Sequence, residues 1–298
     1  MNTVPRLNTI EEYNHLLGIE TLHPLVSVAD FSKLESVRHF RAEFGFYCIF
    51  YKELVCGTIE YGRSKYDYQE GTMLFISPGQ FVGVNDNGVT QNPKGFALMF
   101  HPDLLYGTSL ARHMKDYTFF SYDSNEALHV SEREKLTVLS CFHGVATELE
   151  HDIDRHTKQI IASNIETLLN HCARFYERQF ITREIPNRSV LKRFDGILHD
   201  WFESGKARKS GLPTVHMCAD EVCLSPNYFG DLVRKELGKT AQEYIQLFVI
   251  DRAKRLIAEK EMNVSEIAYE LGFKYPHHLT RVFKKVTGIT PNEFRLKA

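Results

Sequence analysis

Residues Gly272 to Arg295 read GFKYPHHLTRVFKKVTGITPNEFR. Gly272 and Gly288 punctuate the stretch, and Leu279, Val282 and Phe283 between them recur at helical spacing. Arg281, Lys284 and Lys285 share that short helix, and Thr290 with Glu293 forms a capping box for the next one. A short helix anchored at both ends and loaded with bases calls for a polyanionic surface outside it.

The same design occurs a second time. ADEVCLSPNYFGDLVRKELGKTAQEYI, from Ala219, lies over AYELGFKYPHHLTRVFKKVTGITPNEF, from Ala268. Ala219 matches Ala268, Val222 matches Leu271, and Leu224 matches Phe273. After one extra residue in the second copy, Phe229 matches Leu279, Leu232 and Val233 match Val282 and Phe283, and Gly238 matches Gly288. Each copy closes on a Thr-x-x-Glu box, Thr240 to Glu243 and Thr290 to Glu293. A repeat near 50 residues with matched apolar, glycine and capping positions marks a duplicated supersecondary unit.

Each copy predicts a helix, a tight turn and a second helix, over about 214–237 and 263–287. Thr214 caps a helix carrying Val215, Cys218, Ala219 and Val222, and Ser225-Pro226 restarts the chain as N-cap and first helical residue. Asn263 and Glu266 form the opening box of the second copy, and Gly272 supplies its turn. This is the helix-turn-helix pattern. The second helix of such a unit enters the major groove of DNA, with bases along it meeting phosphates. His277, His278, Thr280 and Arg281 are the outward candidates in the second copy, followed by Lys284 and Lys285. Arg234 and Lys235 hold the corresponding places in the first. Arginine pairs bidentately with guanine, and threonine meets a thymine methyl. AQEYIQLFVIDRAKRLIAEKE predicts a long helix joining the units.

The remainder reads as a different domain. The chain has 298 residues, 43% hydrophobic and 25% charged, enough for two cores. Its net charge of -2 hides an asymmetry. From Asn187 onward 19 Lys and Arg face 14 Asp and Glu, a balance of +5, which leaves 17 against 24, or -7, in residues 1–186. The basic half is the one suited to a polyanion. No apolar run approaches a membrane span and the opening residues lack a signal-peptide pattern, so a cytoplasmic location without membrane contact is expected. Cys48, Cys56, Cys141, Cys172, Cys218 and Cys223 lack paired spacing and read as buried thiols.

Residues 37–100, with alternating strands and turns at Gly57, Gly62, Gly71, Pro78 and Gly79, predict a small sandwich or barrel. Helices follow over about 101–180, with a capping box at Ser131 and Glu134. A stripe through Ile160, Ile161, Ile165, Leu168, Leu169, Cys172 and Phe175 packs either on its own domain or on a second chain. ITREIPNRS, with Pro186, reads as a linker over 183–188. Domain bounds of 1–182 and 187–298 follow.

IDRAKRLI, VSEIAYELGF and HLTRVFKKVTGITPNEFR resemble the DNA-binding domain of the AraC/XylS family of bacterial transcription regulators, over about Asn187 to Ala298. The strand-rich front is similar in pattern to that family's cupin-like sensing and dimerisation domain. The resemblance implies an α+β two-domain chain, with a cupin-like β-barrel and following helices before an all-α domain of two helix-turn-helix units. It implies no enzyme and no cofactor. Its partners would be promoter DNA, RNA polymerase, a second copy and a small-molecule effector, with activation the commoner behaviour. Base-contacting positions carry over to Asn227, Gly230 and Asp231, and to Pro276, His277, Thr280 and Arg281. Two departures stand out. Gly230 and Asp231 replace polar or basic residues, and Cys223 stands where the turn usually has glycine.

The front domain admits further readings. The front domain offers Tyr47, Tyr51, Tyr61, Tyr66 and Tyr68 as pocket-lining candidates, although aromatic strand residues also serve as core and cross-strand pairs. Regulation without an effector, through a partner protein or expression level, stays open. A cupin-type metal enzyme would need clustered His and Glu ligands. His39 and His101 are far apart, and His277 and His278 are adjacent, so they point apart on a helix.

Overall fold

The computed structural model describes residues 6–34, 42–53, 58–61, 64–66, 71–85, 94–123, 126–182 and 184–297. The chain separates into two compact units, Met1–Thr182 and Arg183–Ala298.

The first unit combines strands with helices. Its strands are β1 (Arg6–Leu7), β2 (Val26–Asp30), β3 (Ala42–Phe44), β4 (Tyr47–Lys52), β5 (Thr58–Tyr61), β6 (Ser64–Tyr66), β7 (Thr72–Ile76), β8 (Phe81–Asn85), β9 (Gly95–Phe100) and β10 (Leu128–His129). They form two five-stranded sheets, ordered β1-β3-β8-β5-β6 and β10-β7-β4-β9-β2. Among the described residues no closed barrel is formed. β4 lies between β7 and β9, pairing Ile49 with both Phe75 and Leu98. Central strands are covered on both faces, so Ile49, Met73, Leu98, Met99 and Phe100 are wholly buried.

Two sequence expectations for this unit differ from the structure. Strands were expected from about 37, but β1 and β2 precede that point, with α1 (Ile10–Leu17) between them. Helix α1 is opened by a capping box between Thr9 and Glu12. Helices were expected from 101, but residues 102–121 make three short 3-10 turns around a one-turn helix α2 (Leu110–His113). Here aromatic packing overrides helical period: Phe119 and Phe120 lie against Phe75, at 4.5 and 5.5 Å between ring centroids. Long helices begin only with α3 (Glu132–Leu149) and α4 (Thr157–Thr182). The stripe on α4 packs within its own unit. Ile161, Ile165, Leu168, Leu169 and Cys172 are fully buried, and the Cys172 thiol reaches Met73 Sδ at 3.9 Å. Ile160 is the exception, 41% exposed.

The second unit is all helical: α5 (Glu184–Glu203), α6 (Lys206–Ser210), α7 (Val215–Glu221), α8 (Pro226–Leu237), α9 (Ala241–Glu259), α10 (Val264–Glu270), α11 (Pro276–Thr287) and α12 (Pro291–Lys297). The expected linker over 183–188 is corrected, because residues from Glu184 onward are already helix. Pro186 falls in the first turn of α5, where a missing N–H breaks no helical bond. Phe194 and Leu198 of α5, Phe229 and Val233 of α8, Ile250, Ala253 and Ile257 of α9, and Leu279 and Phe283 of α11 share one core. Phe194 meets Phe229 edge-on at 5.0 Å between centroids. Truncating Phe229 or Phe283 to alanine would cost about 3–5 kcal/mol by cavity formation.

Four cysteines, Cys48, Cys141, Cys172 and Cys218, are buried, and burial pushes their thiols up. Cys223 departs from that expectation and is exposed. Cys56 lies outside the described residues.

Candidate nucleic-acid interface

Each candidate reading helix is held from beneath by the helix before it. Ala219 of α7 and Ala268 of α10 are both 0% exposed. A side chain of that size lets the second helix cross closely. The Thr214 hydroxyl oxygen accepts from Met217 N–H at 3.2 Å and opens α7. Asn263 Oδ1 accepts from both Ser265 and Glu266 N–H at 2.9 Å and opens α10. The turns then use left-handed backbone, with φ of 61° at Cys223 and 86° at Gly272.

The entries of α8 and α11 differ. The Ser225 hydroxyl oxygen accepts from Tyr228 N–H at 3.3 Å, with Pro226 as first helical residue. Tyr275 holds the N-cap place of α11 without a side-chain capping bond. It is 47% exposed and stacks on His277, with ring centroids 5.5 Å apart and planes at 21°. Tyr275 was not among the sequence candidates. Its only sequence signal was its position one residue before Pro276.

The buried faces set the exposed ones. In α8, Tyr228, Phe229, Leu232 and Val233 are buried, and this leaves Asn227, Arg234 and Lys235 exposed with Gly230 and Asp231 half-buried. In α11, Leu279 and Phe283 are buried, His277, Arg281, Lys284 and Lys285 are exposed, and Pro276, His278 and Thr280 are half-buried. The Thr280 hydroxyl donates back to the Pro276 carbonyl at 3.4 Å. The rings of His277 and His278 do not point apart as adjacency suggested: their centroids are 4.4 Å apart at 79°. Partial burial, with the charges of His277 and Arg281 beside it, holds the His278 imidazole below its ordinary value.

Helix α9 packs against both candidate reading helices, α8 and α11. The Thr240 N–H and hydroxyl, then the charges of Lys285 and Arg234, hold the Glu243 carboxyl below its usual range. One carboxylate at the start of α9 thus feels the basic ends of both α8 and α11. In the same way, the N–H and hydroxyl of Thr290, then Lys284 and Lys297, lower Glu293. At nineteen residues α9 is about 28 Å long.

The tyrosine candidates of the first unit are not brought into one pocket among the described residues. Tyr51 is 1% exposed and belongs to the core. Tyr47 is half-buried and stacks on Phe100, 5.0 Å between centroids. Tyr61 and Tyr66 lie on the paired strands β5 and β6, but their side chains are outside the described residues, as is Tyr68. No group of three or more His, Cys, Asp or Glu suited to a metal occurs among the described residues. No helix among them is long and apolar enough to cross a membrane.

Comparison with known proteins places this geometry. Residues 218–297 match the family model "Helix-turn-helix domain". The transcriptional regulatory protein YesN of Bacillus subtilis is 39% identical over 80 residues, 26% of this chain and 22% of that protein. The arabinose operon regulatory protein of Escherichia coli is 36% identical over 77 residues, 26% of either chain. The probable transcriptional regulator LumQ of Photobacterium leiognathi is 22% identical over 253 residues, 82% of this chain and 89% of its own. The chain thus spans about a fifth of the length of YesN and a quarter of that of the arabinose regulator. The family match over residues 218–297 falls on the duplicated units described above, and that part of the chain is a helix-turn-helix domain, in a chain similar to proteins named as transcriptional regulators.

Proposed function

We propose that the protein is a sequence-specific DNA-binding transcription regulator, acting as an activator in the cytoplasm and not as an enzyme. The observation that carries this reading is the repetition of one presentation. Arg234 and Lys235 on α8, and Lys284 and Lys285 on α11, stand exposed at equivalent places beyond a buried apolar face. Two such helices on one folded core address successive major grooves, which on one face of B-DNA lie about 34 Å apart. Asn227, Gly230, Asp231, Pro276, His277, His278, Thr280 and Arg281 are proposed to face base edges. Arg234, Lys235, Lys284 and Lys285 are proposed to meet phosphates. Helix α11 would carry more of the discrimination, since Arg281 stands where α8 has Asp231 and Thr280 where it has Gly230.

The first unit is proposed to be a cupin-like domain that modulates the second through an effector or through pairing of two chains. Pairing would use exposed faces of α3 and α4, where Leu136 is 69% exposed, since the α4 stripe is occupied within its own unit. RNA polymerase is the further partner of an activator. Ligand or partner would act by shifting the population able to bind DNA.

Selection of binding sites from a random duplex pool, followed by footprinting at several salt concentrations, tests the reading. A preferred bipartite site is expected, with affinity falling steeply as salt rises because phosphate contacts release counterions. Failure to enrich any sequence, together with a flat salt response, would refute it.

A further inference from the structure

Arginines converge on a groove in the first unit that the DNA-reading surface does not involve. The groove lies between α3 and α4, has a volume of about 490 Å³, and is lined by Arg133, Glu134, Thr137, His171, Arg174, Phe175 and Arg178. Its size is within the range of small-molecule sites. Three guanidiniums and one carboxylate leave a formal excess of two positive charges.

One of these arginines is held in place. Arg178 donates Nε–H to Glu134 Oε1 at 2.7 Å and an Nη2 hydrogen to the His129 carbonyl at 2.6 Å. Glu134 is fixed in turn, because its other oxygen accepts from Ser131 N–H at 2.8 Å in the capping box of α3. A guanidinium carries five N–H donors, so Arg178 keeps donors beyond these two bonds while its position is set. Arg133 and Arg174 are exposed and make no ion pair or side-chain hydrogen bond among the described residues. The groove also has an aromatic wall, where the His171 ring stacks on Phe175 at 5.9 Å and 24°.

We infer that this groove binds a small organic dianion, with oxyanion groups on Arg133, Arg174 and Arg178 and an apolar or aromatic body against Phe175 and His171. Planar forked donors match phosphate and carboxylate oxygens, and the excess of two charges matches two negative charges. Occupation would cross-link α3 and α4 at the end where β10 meets them, stiffening the pair. The inference stands independently of how the second unit reads DNA.

Calorimetry and thermal denaturation of the full chain with phenyl phosphate test it, using sodium chloride at matched ionic strength as the reference. Saturable binding and a raised melting temperature are expected with phenyl phosphate and not with chloride. Arg174→Glu and Arg133→Glu, both at exposed positions, should each weaken binding by about tenfold or more, since each removes a charge-assisted bond. Replacing Lys284 and Lys285 by alanine should leave phenyl phosphate binding unaltered, which separates this groove from the DNA-facing helices. Binding that survives both Arg→Glu changes, that disappears with the lysine change, or that chloride reproduces would overturn the assignment. So would self-association abolished by the Arg→Glu changes in a chain that takes up no phenyl phosphate, because the groove would then belong to a second copy.

Discussion

Cys223 and Gly272 occupy the same place in the two helix-turn-helix units, and both adopt left-handed backbone, with φ of 61° and 86°. In both, the next residue's N–H bonds an alanine carbonyl, Leu224 to Ala219 at 3.0 Å and Phe273 to Ala268 at 2.9 Å. The turn geometry is therefore conserved between the copies while the residue that suits it is present in only one.

Cys223→Gly should stabilise the second unit. A β-carbon in left-handed backbone costs about 1–2 kcal/mol, offset in part by the roughly 0.5–1 kcal/mol of extra chain entropy that glycine loses on folding. The thiol is exposed and leaves no cavity. A gain of about 0.5–1 kcal/mol in urea unfolding is expected; a loss would mean that the thiol makes a contact the turn needs.

Gly272→Ala should behave in the opposite sense and more strongly. A β-carbon there would lie 2.7 Å from the Ala207 carbonyl oxygen and 2.8 Å from Gly211 C, both backbone atoms of the α6 segment. Neither can move as a flexible side chain would, and the φ is unfavourable as well. Destabilisation of about 2–4 kcal/mol is expected, from strain and displaced backbone together. A melting temperature equal to the parent's would contradict the close approach.

Arg281→Ala and Lys284→Ala should separate reading from anchoring. Loss of Arg281 is expected to cost about 1–3 kcal/mol on the preferred site and to relax preference at one base pair. Loss of Lys284 should weaken all sequences alike and lower the salt slope by about one. Binding measured over a panel of single base-pair changes at three salt concentrations distinguishes the two. Identical profiles for both variants would remove Arg281 from the reading surface.

Acid should weaken the second unit through its helix caps. Bonds from Thr240 hold Glu243 below the usual carboxylate value, and bonds from Thr290 do the same for Glu293. A carboxyl depressed in the folded state contributes its stability above the unfolded value, near 4.5. That contribution is lost as pH falls through the lower folded value. Glu243→Gln with Glu293→Gln should therefore flatten the fall in melting temperature below about pH 5. An unchanged acid limb would show that other carboxylates govern it.

Much of the second unit was legible because its signals are local. Thr214, Ser225, Asn263 and Thr240 cap the helices they precede, since a capping bond spans only two or three residues. Comparison of the copies located Ala219, Ala268, Phe229 and Leu279 in the core for the same reason: buried positions recur with the helical period. Pro186 misled, because a proline that stops one helix is equally suited to the first turn of the next.

The sequence alone determined the duplicated helix–turn–helix pattern, its capping residues and the bases carried beyond the apolar face. Tertiary structure decided which strands pair across long separations, such as β2 with β9 and β7 with β10. It also made residues 102–121 short turns, packed Phe119 and Phe120 on Phe75, and placed Arg133 beside Arg174 and Arg178. Capping and helical periodicity act within a few residues, so they can be read along the chain. Sheet order, aromatic packing and the meeting of charges from separate helices depend on contacts between distant residues, whose energies exist only once the chain has folded.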